Sequence, residues 1–263
     1  MQRLDILMVE KGLVSSRTHA QRLIKNGRVS IDVKGCLQPV SKPGLKVDSD
    51  THIAIEADDA DRFVSRGALK LLGALEHFPI ELDDKIAIDV GQSTGGFTDC
   101  LLQHGCKHVV GIEVGHDQLA ERLRLDERVT CYEGMNARAL SSDLLKHTQG
   151  GGYDMAVMDV SFISQTKILP SLVPLIADDG FLVSLVKPQF EVGKSNIGSG
   201  GIVKDTSLFP LLKNDMIELC LKLGMQVHTY IESPIKGGDG NREFLLIAQK
   251  GIRKGKDVTL TTN

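Results

Sequence analysis

The chain has 263 residues, of which 41% are apolar, enough for the core of one large domain or of a large and a small one. Aromatic residues make up only 4% and tryptophan is missing, which argues against a function that needs several stacked rings. The net charge of −3 excludes binding of nucleic acid through the overall charge. The charge is uneven, however, since residues 1–47 carry +6 and the remainder −9, which predicts a basic module joined to an acidic body.

The cysteines and the absence of long apolar runs indicate the cellular setting. Five cysteines, without any C-x-x-C pair, argue against a disulfide framework and against a zinc site, so we expect no metal. The first residues lack the pattern of a secretory signal peptide. No stretch approaches the roughly 18 apolar residues that span a bilayer. We therefore expect a cytoplasmic protein with no membrane span.

Residues 1–57 predict a small α+β domain. Apolar spacing predicts one helix over residues 3–11 and a second from a cap at Ser15 or Ser16 to Gly27. Alternation of apolar residues then predicts strands at 29–33 and 51–55. Basic side chains gather on the second helix and at the strand that follows, where they either follow RNA phosphates or form a solvated face.

The rest of the chain has the pattern of an α/β domain. An acidic segment, assigned to a linker over residues 58–63, precedes a domain over residues 64–250, and residues 251–263 form a polar tail. Apolar strands alternate with helices, which predicts a Rossmann-like doubly wound sheet, mostly parallel with an antiparallel last strand. Ser65 is expected to cap the first helix. Lys70 lies near the start of that helix, where the dipole disfavours a cation, and simple solvent exposure is one explanation.

A glycine-rich turn over residues 89–99 joins a strand to a helix, and Thr98 is expected as the N-cap of that helix. Its glycines, Gly91, Gly95 and Gly96, do not follow the G-x-G-x-x-G spacing of dinucleotide sites, and the turn lacks a phosphate-binding lysine. Glu113 ends the next strand, 24 residues after the first residue of the turn, an offset suited to ribose hydroxyls. We interpret the turn as a cradle for a nucleoside with a cationic sulfonium. The alternative is an ordinary tight turn between a strand and a helix.

Charged residues are expected together at one edge of the sheet. Asp159 and Lys187 end apolar strands, and Glu243 opens the last strand. Taken singly, each has a simple explanation as a charge that meets water at a strand end. Together with Lys70 they form a set of two lysines and two carboxylates.

The order and spacing of residues 2–48 resemble the S4-like RNA-binding domain. The match rests on Arg3-Leu4-Asp5, on Ser16-Arg17 and on the run from Ile24 to Val29, with Lys34 in place of the asparagine that the family often has. The resemblance implies a surface that binds RNA. Its expected contacts are Arg3, Ser16, Arg17, Arg22, Lys25, Arg28 and Lys34, to which we add Arg66 of the larger domain.

Over about residues 2–250 the chain resembles the TlyA family, whose members are similar to FtsJ-type ribose 2′-O-methyltransferases. The resemblance is carried by Val64-Ser65-Arg66-Gly67, the 89–99 turn, Lys187-Pro188-Gln189-Phe190-Glu191 and Ser233-Pro234-Ile235. It implies methyl transfer from S-adenosylmethionine to ribosomal RNA or ribosomal subunits, at cytidines. The cofactor contacts that it implies are Asp89, Gly91, Ser93, Thr94, Gly95, Gly96, Phe97, Glu113 and Asp159. Glu113 departs from the aspartate common in relatives but can make the same ribose contacts.

The same resemblance implies that Lys70, Asp159, Lys187 and Glu243 are the catalytic residues. Lys187 would act as the general base for the ribose hydroxyl, assisted by Lys70, which would also orient the ribose. Asp159 would steer Lys187 and lie near the sulfonium, and Glu243 would orient a lysine or the ribose. Three other interpretations remain: a non-catalytic RNA-binding or ribosome-associated factor, a membrane-active hemolysin, a name that many relatives carry, and an NAD oxidoreductase.

Overall fold

The computed structural model describes residues 1–14, 16–56, 62–238 and 240–251, which form two compact units, Met1–Asp61 and Arg62–Asn263. Most of the expected linker (residues 58–61) and nearly all of the expected tail (residues 252–263) lie outside the described residues. The boundaries of the domains, of the linker and of the tail therefore stay predictions. Each unit has its own hydrophobic core.

The first unit contains short helices and small antiparallel sheets. Its elements are β1 (Gln2–Arg3), α1 (Leu4–Glu10), α2 (Arg17–Lys25), β2 (Val29–Val33), β3 (Cys36–Val40), β4 (Lys46–Val47) and β5 (Ile53–Ile55). Strand β2 pairs with β3 and β5, and β1 pairs with β4. The alternation predicted β2 and β5 but not β3, whose side chains are nearly all exposed. As an edge strand, β3 tolerates Pro39, which has no amide hydrogen to donate.

Helix α2 has the polar cap that its sequence predicts. The Ser16 side chain accepts a hydrogen bond from the amide of His19 at 3.2 Å. The helix gives way at Gly27, whose φ of +71° suits glycine. Its inward residues, Ala20, Leu23 and Ile24, are buried against α1, so the outward face is left to polar and basic side chains.

The second unit is built on a seven-stranded sheet. Its strands are β6 (Ile86–Val90), β7 (His108–Ile112), β8 (Val129–Tyr132), β9 (Tyr153–Met158), β10 (Ile176–Val186), β11 (Met225–Glu232) and β12 (Phe244–Lys250). They lie in the order β11-β12-β10-β9-β6-β7-β8. All neighbours are parallel except β12, which is antiparallel to both β10 and β11. The predicted α/β sheet with an antiparallel last strand is therefore confirmed.

Helices cover both faces of this sheet. They are α3 (Ala68–His77), α4 (Gly96–Gln103), α5 (Glu121–Arg124), α6 (Leu169–Leu172), α7 (Pro188–Glu191) and α8 (Leu208–Lys222). Consecutive strand residues belong to opposite cores: Ala87 packs in the core that contains α3 and α4, and Ile88 in the core that contains α6 and α8. Burial on both faces explains why the strands read as continuous apolar runs.

The expected cap of α3 is wrong. The helix begins at Ala68 with Gly67 as its N-cap, and no side chain caps it. The Ser65 hydroxyl instead lies where a side chain on Gly96 would be, so that α3 and α4 approach closely at their starts. Among the described residues no helix is long and apolar enough to cross a membrane.

Two stacked histidines join β7 to the loop after β8. The rings of His108 and His147 lie 5.8 Å apart and nearly parallel. His147 Nε2 contacts the Tyr132 hydroxyl at 2.8 Å, and His108 Nε2 contacts the Thr130 hydroxyl at 3.0 Å. Burial lowers the pKa of both rings below 6.5, and the nearby His108 lowers that of His147 further. The fold therefore favours the neutral form of both.

The pKa values of both histidines are lower in the folded than in the unfolded state, so folding is favoured when both rings are neutral. The contribution of the pair to stability is therefore complete above the unfolded pKa of about 6.5 and is lost as the pH falls. We predict that His108→Gln, which keeps a partner for Thr130, loses less stability between pH 7 and pH 5.5 than the wild type does. Parallel thermal melts across that range measure this difference. Equal slopes for the two proteins would contradict it.

Candidate active site

The carboxyl ends of the parallel strands bring the predicted polar residues to one edge. Asp89 lies next to the last residue of β6, and Glu113, Asp159 and Lys187 directly follow β7, β9 and β10. Glu243 directly precedes β12, and because that strand is antiparallel its start lies at the same edge. Strand β7 lies on one side of β6 and β9 on the other, so the order of the strands reverses at β6. Open α/β sheets bind ligands at such a reversal.

The four predicted catalytic residues form one network of alternating charges. Lys70 Nζ lies 2.7 Å from Glu243 Oε2 and 3.7 Å from Asp159 Oδ2. Lys187 Nζ lies 2.6 Å from Asp159 Oδ1. Asp159 thus stands between two ammonium groups. These contacts are charge pairs, since Asp159 Oδ1 and Glu243 Oε2 accept no directed hydrogen bond from the described residues.

Both lysines are buried, which rules out simple solvent exposure as the explanation for Lys70. Lys70 and Lys187 are each 9% exposed and Glu243 only 3%. The two carboxylates compensate for the cation that α3 places near its own start. Lys187 also donates a hydrogen bond to the Ser161 hydroxyl at 2.9 Å. The exposed Ser161 connects the buried ammonium with the surface.

The glycine turn takes a shape that side chains would prevent. Gly91 has φ +83° and Gly95 has φ +92°, values that favour glycine. A Cβ on Gly91 would lie 2.5 Å from the Asp159 carbonyl oxygen, so this glycine lets β6 and β9 approach at the site. Ser93 has φ +48° without being glycine. Its amide donates to Glu113 Oε2 at 2.8 Å, which helps to hold this conformation.

Thr98 is not the cap of α4, which its residue type predicts. It lies inside the helix, which begins at Gly96. Its hydroxyl donates to Asp89 Oδ2 at 2.7 Å and accepts from Gln92 Nε2 at 2.8 Å. This buried series of hydrogen bonds holds the turn in place. Burial raises the pKa of Asp89 to about 7, against the effect of the Thr98 hydrogen bond.

Glu113 supports the turn with both of its carboxylate oxygens. Oε2 accepts the amide of Ser93 and Oε1 accepts the amide of Gly115, each at 2.8 Å. A carboxylate oxygen has two lone pairs, so each retains the capacity to accept a hydroxyl. Glu113 is 8% exposed and lines a cavity, which leaves this capacity within reach of a ligand.

Two adjoining cavities open at this edge, with volumes of about 540 and 200 Å³. Gly91, Ser93, Asp159 and Ser161 line both of them. The larger has a carboxylate, Glu113, and an apolar wall made by Ile112, Val114, Met135, Ile163 and Ile168. The smaller contains Lys187 and the turn residues Thr94, Gly96 and Phe97. Asp89 and Gly95, also expected as cofactor contacts, line neither cavity.

Sequence reasoning missed the loop that follows Asp159. Phe162 is 90% exposed, has φ +64° and lines the larger cavity. Its ring centroid lies 5.2 Å from that of Phe190. Its position three residues after Asp159 was a signal that it lies near the site. Its left-handed backbone and its exposure have no signal in the sequence.

In the first unit, part of the predicted RNA-binding set holds the fold together. The buried Asp5 accepts hydrogen bonds from Arg3, from Arg17 at 3.0 Å and from Gln21 at 2.7 Å. The hydrogen bonds from Arg3 are the main reason why the pKa of Asp5 is well below its usual range. Arg28 donates to the carbonyl oxygen of Glu56 at 2.8 Å. These arginines therefore have structural partners.

The other predicted RNA contacts lie at the surface. Ser16, Arg22, Lys25 and Lys34 of the first unit are exposed, as is Arg66 of the second. Lys34 has φ +57° in the turn between β2 and β3, where Gly35 follows it with φ +84°. Within the described residues, no group of three or more His, Cys, Asp or Glu side chains is arranged to hold a metal ion.

Comparison with known proteins identifies the family of this site. The model of the FtsJ-like methyltransferase family matches residues 63–250, and that of the S4 domain matches residues 2–53. The chain belongs to the FtsJ-like methyltransferase family. The predicted resemblances to this family and to the S4 domain are thereby confirmed.

Two relatives place the chain more closely, and a third structure shows the fold. It is 42% identical to the 16S/23S rRNA (cytidine-2′-O)-methyltransferase TlyA of Mycobacterium tuberculosis, over 93% of this chain and 88% of that protein. A solved structure described as a hemolysin from Streptococcus thermophilus is 39% identical, with a TM-score of 0.72 over 99% of this chain and 92% of that one. The chain thus belongs with the TlyA proteins, as its motifs predict. A structure described as an S-adenosylmethionine dependent methyltransferase from Listeria monocytogenes shares the fold alone, at 16% identity and a TM-score of 0.52 over 70% of this chain and 99% of that one.

The close approach at Gly91 makes a stability prediction. In Gly91→Ala the new side chain strains a left-handed backbone, which costs about 1–2 kcal/mol. It also pushes against the Asp159 carbonyl. Gly224→Ala is the matched control, since Gly224 has φ +78° but nothing lies within 4 Å of its added Cβ. We expect Gly91→Ala to lower the free energy of unfolding by about 1–3 kcal/mol more than Gly224→Ala does. Denaturant titration measures both values, and equal losses would refute the close approach.

Proposed function

We propose that this chain is a ribose 2′-O-methyltransferase that modifies ribosomal RNA, at cytidines, with S-adenosylmethionine as the methyl donor. The observation that carries the proposal is the network of Lys70, Asp159, Lys187 and Glu243 beside two adjoining cavities. Membership of the FtsJ-like family supports the reaction class. The activity for which the Mycobacterium tuberculosis relative is named supports ribosomal RNA and cytidine as substrate.

The larger cavity fits the chemistry of S-adenosylmethionine. Its apolar wall suits an adenine ring, and Glu113 suits the two hydroxyls of a ribose. Asp159 lies where the two cavities adjoin and offers a negative charge to a sulfonium. We propose the turn residues Gly91, Ser93, Thr94, Gly96 and Phe97, with Glu113 and Asp159, as the contacts. Asp89 and Gly95 support these contacts from behind the turn.

When bound, S-adenosylmethionine supplies an electrophilic methyl group. The protein must place a ribose 2′-hydroxyl in line with it and remove the proton of that hydroxyl. Lys187 is the group suited to this task because it lines the smaller cavity and is held by two fixed contacts, to Asp159 and Ser161. It accepts a proton only in its neutral form, and the exposed Ser161 hydroxyl offers that proton a route to solvent.

Lys70 and Glu243 complete the arrangement. Glu243 holds Lys70 at 2.7 Å, and Lys70 in turn reaches Asp159. The position of Asp159 between Lys70 and Lys187 is therefore fixed from both sides. Alignment of the reacting groups supplies a large part of the rate in such a transfer, because little covalent chemistry falls to the protein.

Phe162 offers a surface to the target nucleotide. An exposed ring at the rim of a cavity, backed by Phe190, suits stacking with a base that has left its helix. The chain is poor in aromatic residues, so a ring in this position stands out. We propose that Phe162 contacts the base while the ribose lies at Lys187.

The alternative interpretations fit less well. A non-catalytic RNA-binding factor does not require two buried lysines held by two carboxylates. An NAD oxidoreductase is disfavoured by the glycine spacing and by the family match. The word hemolysin in the description of the Streptococcus thermophilus structure names no chemistry that this site performs.

Substitution of Lys187 tests the reaction. With purified protein, ribosomal subunits and labelled S-adenosylmethionine, we expect Lys187→Arg and Lys187→Ala to lose about 10²-fold or more in methyl transfer. The arginine keeps the positive charge but cannot accept a proton. Calorimetry should find cofactor affinity nearly unchanged in both. Lys167→Ala, at an exposed lysine beyond the same loop, is the control. Wild-type turnover by Lys187→Arg would refute the base, and an inactive wild type would refute the proposed function.

The exposed lysines of the first unit make a separate prediction about RNA capture. The double substitution Lys25→Gln/Lys34→Gln should weaken RNA binding and reduce its salt dependence, by about 0.7–0.9 in the log–log slope for each phosphate that a lysine no longer neutralises. These positions avoid the structural role of Arg17 at Asp5. Lys107→Gln, which lies next to the start of β7 in the second unit, is the control. Filter binding at several salt concentrations measures the slopes, and an unchanged slope in the double variant would exclude these lysines.

A further inference from the structure

The motif that follows Lys187 contains a partly buried carboxylate to which the proposed mechanism gives no task. Glu191 ends α7, four residues after Lys187. Its Oε2 accepts the Ser164 hydroxyl at 2.6 Å, and its Oε1 accepts the amide of Gln165 at 2.9 Å. Both donors belong to the loop that follows Asp159. Glu191 therefore ties the loop after β9 to the helix after β10.

A second tie lies beneath the first. Gln165 is 1% exposed, and its side-chain amide donates to the Leu185 carbonyl oxygen at 2.8 Å. Its side-chain oxygen accepts the Ser184 hydroxyl, also at 2.8 Å. The end of the loop is thus fixed both to β10 and to the helix that extends from it. Both donors to Glu191 are neutral groups. Burial raises the pKa of Glu191, against the effect of these two hydrogen bonds.

Between Asp159 and these ties lie the residues that face the site. Ser161 accepts the hydrogen bond of Lys187, and Phe162 projects into solvent with a left-handed backbone. A non-glycine residue with positive φ persists only where its surroundings fix it. On its far side the loop contacts Glu191, β10 and the ring of Phe190. Loss of Glu191 would remove the ties at the Ser164 hydroxyl and the Gln165 amide, and would leave that side held by the Gln165 side chain and the ring contact.

We propose that Glu191 is a positioning residue that holds the Ser161–Phe162 turn in register with Lys187, and thereby sets turnover without contacting the methyl donor. The inference rests on the proposed function for its effect on turnover. Its effect on the loop is independent of any activity. Glu191 lines neither of the cavities at this edge, which is consistent with action through the loop.

The test uses a fluorescent reporter and a matched control. The natural chain contains no tryptophan, so Phe162→Trp adds a single reporter on the turn. In the full-length protein, we compare the reporter alone with the reporter plus Glu191→Gln. The control is the reporter plus Asp154→Asn. Asp154 also accepts a backbone amide from a neighbouring strand, that of Ile86 at 2.9 Å, but lies at the opposite end of β9.

We expect Glu191→Gln to lower the anisotropy of the reporter, while Asp154→Asn leaves it unchanged even if it lowers the melting temperature. Without the reporter, Glu191→Gln should lower kcat on ribosomal subunits about 10-fold, with cofactor affinity within about twofold of wild type. Addition of Ser164→Ala should cost little more, since both changes release the same tie.

The outcomes separate the two proposals. If the anisotropy of Phe162→Trp is the same with and without Glu191→Gln, the positioning role is overturned, whatever the activity. A kcat at the wild-type value in Glu191→Gln does so too, provided that the wild type transfers methyl groups. A wild type without methyl transfer overturns the proposed function alone, and the anisotropy then decides the role of Glu191.

Discussion

The edge of the sheet depends on one buried set of charges, in which Asp159 is shared by Lys70 and Lys187 while Glu243 holds Lys70. Two cations and two anions balance, so the set is neutral as a whole. Removal of any one member leaves an uncompensated charge in a region of low dielectric, which lowers the stability of the fold by about 3–5 kcal/mol. Each member comes from a different element, so the set requires α3, β9, β10 and β12 to meet at one place.

The strand order answers that requirement. Strand β10 lies between β9 and β12, so Asp159, Lys187 and Glu243 come from three adjacent strands. A parallel β12 would carry the residue before it to the opposite edge. The antiparallel direction of the last strand is therefore the feature that allows Glu243 to reach Lys70. On the other side of Asp159, Gly91 also helps to bring the set together, because it lets β6 approach the Asp159 carbonyl.

The sequence predicted those parts of the fold that follow from local pattern. Continuous apolar runs predicted the buried strands, and chemistry at the strand ends predicted the four charged residues, because both depend on the alternation of elements. The exposed strand β3 has no such pattern and was missed. The caps at Ser65 and Thr98 were wrong because the contacts of Gly96 and Asp89 with these side chains are tertiary. Positive φ at Ser93 and Phe162 likewise depends on neighbours distant in the chain.

Carboxylates at this edge differ in their surroundings, and that difference separates their tasks. Asp159 lies between two ammonium groups and lines both cavities, so its charge faces both the cavities and the proposed base. Asp89 is buried beneath the turn with one hydroxyl donor, and its raised pKa suits a structural group. Glu191 accepts only neutral donors and serves the loop. Residue type alone makes these three equivalent; the kind of donor that each one faces, a cation or a neutral group, distinguishes chemistry from support.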